Sequence, residues 1–266
     1  MTVARQPISE RFISQVANSF GKASEQYITA ARLQQQVALD AVALLPADER
    51  GQLLDIGCGP GWIHPRFRAY SAGFSAIDLS QGMLQKAAQQ QLATHYIQAN
   101  AASLPLPNQS MDKVFSSLML QWCPDPTAVF AEVSRVLVPG GHAVITTLID
   151  GTLTELKQAF ASIDNQQHVN SFLVQQQLCT AAAQVPDMSW QFTQRSYQLY
   201  YPDVISLAKE LKTLGANQVA KRHIGGLTGK NYWQRLAAAY NQNRTTLGLP
   251  ATYQVLIISG VKHANE

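Results

Sequence analysis

The sequence predicts an α/β fold: a mostly parallel sheet with helices on both faces. Between residues 52 and 148, five short apolar runs alternate with stretches of helical spacing. The first of these runs ends in a glycine turn, as buried parallel strands commonly do. The chain has 266 residues, 46% of them hydrophobic, which is long enough to bury a sizeable core.

The elements follow in order. Residues 8–45 read as N-terminal helices, with Ser9 placed to cap the first. Leu33, Val37, Ala41, Leu44 and Leu45 keep helical spacing up to Pro46. Residues 50–150 read as the core of the domain. In it, Gln52–Ile56, Phe74–Asp78, His95–Ala99, Asp112–Ser117 and His142–Leu148 read as strands. Residues 62–70, Met83–Gln91 and Thr127–Leu137 read as helices, the last stopped by Pro139-Gly140-Gly141. A helical segment occupies 151–188, and Ser189–Tyr201 alternates as a strand does. Residues 203–247 are helical again, interrupted at Gly215 and at Gly225-Gly226, and 251–263 contains the final strand. The last two strands therefore flank a helical insertion that would pack on a single domain, 1–266, as a cap.

Composition excludes several classes. No apolar stretch approaches the roughly 20 residues of a membrane span. The start, MTVARQPISERF, has no apolar signal core. Cys58, Cys123 and Cys179 are far apart, and no two His stand in an HxxxH pair, so neither a disulfide framework nor a metal knuckle is expected. A reduced, cytoplasmic protein without metal is the expectation. Charged residues are only 14% of the chain, against about 25% on average. The net +3 is unevenly spread. Residues 1–194 carry 11 Lys+Arg against 14 Asp+Glu, a net −3, and residues 195–266 carry 9 against 3, a net +6. A basic C-terminal third suits an anionic partner or a scattered solvated surface.

The strongest motif is Leu54-Asp55-Ile56-Gly57-Cys58-Gly59-Pro60-Gly61. Dinucleotide sites use GxGxxG to hold a pyrophosphate. Here the spacing is GxGxG behind an acid, which would repel phosphate and suit a ligand carrying an ammonium or sulfonium. That points to S-adenosylmethionine. Asp78, closing the second strand, can accept from both hydroxyls of a ribose. Either acid could instead cap its own turn or helix. Asn100-Ala101-Ala102 follows the third strand, where Asn100 can accept from an adenine amino group; Ser117 and Leu118 leave the fourth. All fall at the carboxyl ends of strands, where open α/β sheets bind ligands.

In these residues the sequence resembles the class I S-adenosylmethionine-dependent methyltransferases over roughly residues 20–150. The resemblance implies a Rossmann-like sheet whose last strand is antiparallel. It implies a cofactor site of Tyr27, Asp55, Gly57, Cys58, Gly59, Gly61, Asp78, Leu79, Met83, Asn100, Ala101, Ala102, Ser117 and Leu118. That family often has Asp where this chain has Asn100, which keeps the acceptor and loses the charge.

A narrower resemblance runs through Phe20-Gly21-Lys22-Ala23-Ser24-Glu25-Gln26-Tyr27, Gly59-Pro60-Gly61-Trp62, Gln121-Trp122-Cys123 and Thr146-Thr147-Leu148. It continues in the insertion through Leu211-Lys212-Thr213-Leu214-Gly215-Ala216-Asn217 and Gly226-Leu227-Thr228-Gly229-Lys230, and closes with Leu249-Pro250-Ala251-Thr252-Tyr253. On these the chain is similar to the malonyl-[acyl-carrier protein] O-methyltransferases of biotin synthesis. That resemblance implies methylation of the free carboxylate of a malonyl thioester, on acyl-carrier protein or on coenzyme A.

A carboxylic acid is already ionised near neutrality, so no general base is required and no catalytic acid/base residue is expected. Catalysis would rest on positioning and on water exclusion. Phe20, Gln121, Trp122, Lys212, Arg222 and His223 are the candidate acceptor-site residues, with a cap cation, Lys212 or Arg222, holding the carboxylate. Cys58 is read as a small residue with no nucleophilic role. The rival readings are a quinone-precursor methyltransferase, a nucleic-acid methyltransferase or noncatalytic cofactor sensor, and a NAD-dependent oxidoreductase. The cap motifs argue against the first. The weak overall charge and the lack of aromatic-basic repeats argue against nucleic acid, and the glycine spacing argues against NAD.

Overall fold

The computed structural model describes residues 10–23, 31–164, 166–214 and 229–264. Its strands are β1 (Gln52–Ile56), β2 (Gly73–Asp78), β3 (His95–Gln98), β4 (Met111–Ser117), β5 (Leu137–Leu148), β6 (Met188–Tyr201) and β7 (Leu249–Lys262). They form one sheet in the order β3-β2-β1-β4-β5-β7-β6. β1 to β5 are parallel, and β7 runs antiparallel to both β5 and β6. The helices are α1 (Glu10–Ala23), α2 (Arg32–Val42), α3 (Gln81–Ala88), α4 (Pro126–Val136), α5 (Thr154–Ala161), α6 (Gln175–Ala182), α7 (Val204–Thr213) and α8 (Lys230–Asn241). This is the fold class expected, with α7 and α8 inserted between the last two strands. The expected cap of the first helix, Ser9, and the glycines at 215, 225 and 226 lie outside the described residues.

Two elements differ from expectation. Residues His64–Ala69 form a 3-10 helix. The segment has no side-chain cap and Pro65 supplies no N–H, so the turn tightens to i→i−3 bonds such as Arg66 N–H to Ile63 O at 2.9 Å. The second difference is that β5 begins at Leu137, before the Pro-Gly-Gly run. Met111 pairs with Leu137 and Lys113 with His142, so Pro139-Gly140-Gly141 loops out of the ladder and the pairing resumes beyond it.

The core explains the topology. Leu54 and Ile56 point to one face of the sheet, where Phe130 and Val133 of α4 cover them. Leu53, Phe115 and Val144 point to the other, against Ala38 and Ala41 of α2. Strands buried on both faces read as continuous apolar runs, which is how β1 reads. A further cluster joins Leu33 and Val37 of α2, Leu156 of α5, Leu207 of α7, Leu236 of α8 and Val255 of β7. Arg32 strengthens that junction. Its guanidinium donates to Glu210 of α7 at 2.8 Å and lies 4.7 Å from the centre of the Tyr201 ring, while the Tyr201 hydroxyl donates to Glu210 at 2.7 Å. The insertion is thus sewn to the N-terminal helices as well as to the sheet.

The register sets Ile56 beside Ile77 and Asp55 beside Phe115, so β1, β2 and β4 end at one edge. The strand order reverses between β1 and β4. That crevice is the switch point where such sheets bind ligands.

Candidate functional site

At the switch point lies a cavity of about 840 Å³, its open mouth included. The turn after β1 forms its floor. Gly57 has φ +74°, and a Cβ there would stand 2.4 Å from Met119 Cγ, so only glycine lets this turn pack under the loop after β4. Gly59 has φ +55° and the opposite surroundings: a Cβ would meet nothing within 4 Å. The space above it is open to a ligand.

Asp78 sits beside that space. Its Oδ2 accepts the Gly59 N–H at 2.9 Å and its Oδ1 accepts the Ser80 N–H at 2.8 Å. Burial pushes its pKa up to about 6, against the lowering effect of the Ser80 and Gly59 N–H groups; the neighbouring Asp55 adds to the rise. Leu79, Met83, Asn100, Ala101, Ser117 and Leu118 complete the wall. Ala102 stands behind it, donating its N–H to Asn100 Oδ1 at 3.0 Å. Leu118 holds φ +51°, an uncommon conformation for a branched residue, and is fastened there by its N–H to Thr146 O at 3.0 Å.

The donor set fits S-adenosylmethionine. A half-buried carboxylate is available to a pair of hydroxyls, apolar side chains such as Met83 and Leu79 would flank a flat ring, and the glycine floor leaves room for close approach.

Other sequence candidates fall elsewhere. Asp55 does not line the cavity. It is 2% exposed, with its carboxylate 3.1 Å from Nε2 of His64, and burial raises its pKa against the influence of that histidine. Gly61 lies over the same histidine, where a Cβ would come within 2.6 Å of Nδ1. Cys58 is buried behind the loop, and its thiol pKa is raised well above the usual value by burial, then by Asp55 and Asp78. Tyr27, Arg222 and His223 lie outside the described residues.

Phe20 of α1 lines the cavity and meets Trp122 edge-on at 5.3 Å. Trp122 also lines a second cavity, of about 1,490 Å³ with its mouth. Leu33 and Gln34 of α2, Leu148, Leu153 and Tyr253 belong to that second wall. Lys212 lines it too, as an exposed residue of α7. Gln121 lines neither. Its amide nitrogen donates to Leu118 O at 2.6 Å and its oxygen accepts from the Thr147 hydroxyl at 3.2 Å, so it fixes the loop that carries Trp122.

Three features were missed in the sequence. One is His64, the partner of Asp55. Another is a cluster on the second cavity. His168 Nε2 is 2.8 Å from Asp164 Oδ1, the Tyr232 hydroxyl donates to Asp164 Oδ2 at 2.8 Å, and the imidazole stacks on Phe160 at 4.1 Å. The third is Gln34, whose Oε1 is buried without a partner. Among the described residues no group of His, Cys, Asp and Glu could hold a metal, and no helix is long and apolar enough to cross a membrane.

Fold neighbours agree with this architecture. The YcgJ protein from Bacillus subtilis superposes with a TM-score of 0.61 at 16% identity, covering 87% of this chain and 100% of its own. A putative methyltransferase from Bacillus halodurans C-125 gives 0.61 at 12% identity, covering 86% of this chain and 100% of its own. Residues 54–145 match the family described as a methyltransferase domain. The fold and the matched segment set residues 54–145 beside methyltransferase domains.

Closer relatives narrow the class. The malonyl-[acyl-carrier protein] O-methyltransferase of Hahella chejuensis is 37% identical over 246 residues, covering 91% of this chain and 88% of the relative. That of Serratia marcescens is 37% identical over 243 residues, covering 91% and 94%. The biotin biosynthesis bifunctional protein BioHC of Cellvibrio japonicus is 40% identical over 242 residues, covering 90% of this chain; the chain spans about half, 48%, of that relative's length. The chain belongs to the malonyl-[acyl-carrier protein] O-methyltransferase family.

Proposed function

We propose that the protein transfers a methyl group from S-adenosylmethionine to the free carboxylate of a malonyl thioester on acyl-carrier protein. The product is the malonyl methyl ester that primes pimelate and biotin synthesis. The observation that carries this reading is likeness to relatives of that name over nine-tenths of the chain, insertion included.

The geometry supports it. Two cavities, one at the strand ends and one under the insertion, share the Trp122 wall. A cofactor in the first and an acceptor in the second would meet there. Asp78 would hold the ribose hydroxyls, the Gly59 turn would admit the methionyl part, and Asn100 would stand at the adenine. Phe20 would close the site from α1. The bound cofactor supplies a methyl group on a positively charged sulfur. In the reaction the C–S bond breaks, its electron pair stays on sulfur, and the carboxylate oxygen forms the new C–O bond. No proton moves, so the protein needs no base. The apolar walls exclude water, and a carboxylate stripped of its hydration shell is the better nucleophile.

The basic third of the chain divides in the same sense. Lys262 is spent inside, donating to Ser134 O at 2.7 Å and to Leu137 O at 2.9 Å, and Arg195 is paired with Asp40 at 3.3 Å. Lys209 and Lys212 stay exposed at the rim of the second cavity, where they would meet an acidic carrier.

Incubation with methyl-labelled S-adenosylmethionine and, separately, malonyl-carrier protein and malonyl-coenzyme A tests the reading. Label is expected as a base-labile methyl ester on the carrier-bound acceptor. No transfer to either thioester, with cofactor binding intact, overturns it.

A further inference from the structure

We propose that the side-chain amide of Gln34 is the group that holds the acceptor carboxylate. The inference rests on the methyl-transfer reading above and names a residue for its acceptor.

Gln34 lies in the first turn of α2 and lines the second cavity. Its Oε1 is buried and makes no hydrogen bond. Leaving a buried amide oxygen unpaired is unfavourable, and native structures rarely tolerate it without a use. Half a turn about the terminal bond exchanges the carbonyl for the NH2 group, so the same position can offer either an acceptor or two donors.

Its place along the sheet decides which end of the acceptor it meets. Ala38 and Ala41, later in α2, cover Phe115 and Val144 in the middle of β4 and β5. Leu33, beside Gln34, belongs instead to the cluster that contains Leu118, just past the carboxyl end of β4. Gln34 therefore stands at the end of the sheet where Trp122 separates the two cavities, near the reacting end of the acceptor.

The charge change in the reaction favours a neutral donor there. The acceptor begins as an anion and ends as an uncharged ester. A cation in contact with the carboxylate would stabilise the starting state more than the transition state, and so raise the barrier. An amide orients the oxygen without that penalty. The lysines of the second cavity are exposed at its rim, consistent with this division.

Gln34→Met and Gln34→Glu test the proposal, with calorimetric binding of S-adenosylmethionine confirming that each variant is folded. Cofactor affinity is expected to stay within threefold of wild type in both. For malonyl-carrier protein, kcat/KM is expected to fall at least about tenfold in Gln34→Met and about 100-fold in Gln34→Glu, which sets a carboxylate against a carboxylate. The melting temperature of Gln34→Met is expected to be no lower than that of wild type, since it removes an unpaired buried group. A change under threefold in either variant's kcat/KM overturns the proposal. So does Gln34→Glu being more active than Gln34→Met, which would make the group an acceptor for a substrate N–H. Failure of the wild-type protein to methylate any malonyl thioester is a different result, and overturns the function rather than the assignment of Gln34.

Discussion

The two cavities that meet at Trp122 are built on different principles. The first cavity, proposed for the cofactor, takes its polar atoms from strand ends and the turns that follow them: Asp78 at the end of β2, Asn100 after β3, Ser117 at the end of β4. Backbone N–H groups hold its key carboxylate from two sides. The second cavity, proposed for the acceptor, is larger, and polar side chains reach it from separate elements: Gln34 from α2, His168 from the loop before α6, Lys209 and Lys212 from α7. A site fixed by a sheet is constrained by the register of every strand. A site assembled from helices and loops can change one contributor at a time, which is how one scaffold comes to serve many acceptors.

The comparison is broken most directly at Asp78. If the strand-end carboxylate carries cofactor affinity, Asp78→Ala should raise the Kd for S-adenosylmethionine at least about 100-fold. Two charge-assisted hydrogen bonds are each worth about 1.5–3 kcal/mol, and about 1.4 kcal/mol is a factor of ten. Calorimetry would show it. A Kd within threefold of wild type would mean that the sheet edge is not where the ribose sits.

The same carboxylate should give cofactor binding a pH dependence. Its pKa in the free protein is pushed up to about 6 by burial. The bound state needs the ionised form, because a protonated carboxyl loses acceptor capacity. Affinity should therefore be flat above about pH 7 and fall as pH drops through 6, by about tenfold at pH 5. Stability of the free protein takes the opposite sign for this group. A folded pKa above the unfolded value of about 3.9 means the folded chain binds the proton more tightly, so acidification from 7 towards 4 favours folding at this position. Cofactor titrations at pH 5 and 7.5 check the first effect; equal Kd values would exclude Asp78 as the titrating contact.

The difference between the cavities also explains what could be read in the sequence. β1 and β2 were legible because a buried strand is a continuous apolar run, and Asp78 because it ends one. Gln34 was not: Gln34-Gln35-Gln36 gives three adjacent amides, and only packing tells which one turns inward. His64 was hidden because its partner, Asp55, lies across a glycine turn with no fixed spacing. Gln121 looked like a substrate handle since it precedes Trp122; the structure spends its amide on Leu118 and Thr147. β5 was shortened because Pro139-Gly140-Gly141 signals an ending, whereas here the strand starts earlier and loops the three residues out.

The smallest expected effect sharpens the division between the rim and the interior of the second cavity. Lys212 is exposed on α7. An exposed charge contributes about 0–1 kcal/mol to a contact and acts mainly on the rate of encounter. Lys212→Ala should therefore lower kcat/KM for malonyl-carrier protein by about two- to fivefold at low salt, and leave the cofactor Kd unchanged. Screening shortens to about 3 Å at 1 M salt, so the difference from wild type should fade as salt is added. Steady-state rates at two ionic strengths make the check. A loss of 100-fold or more that persists in high salt would place the Lys212 ammonium against the acceptor carboxylate itself. The interior would then hold its substrate by charge, and the neutral amide of Gln34 would not be the group that does so.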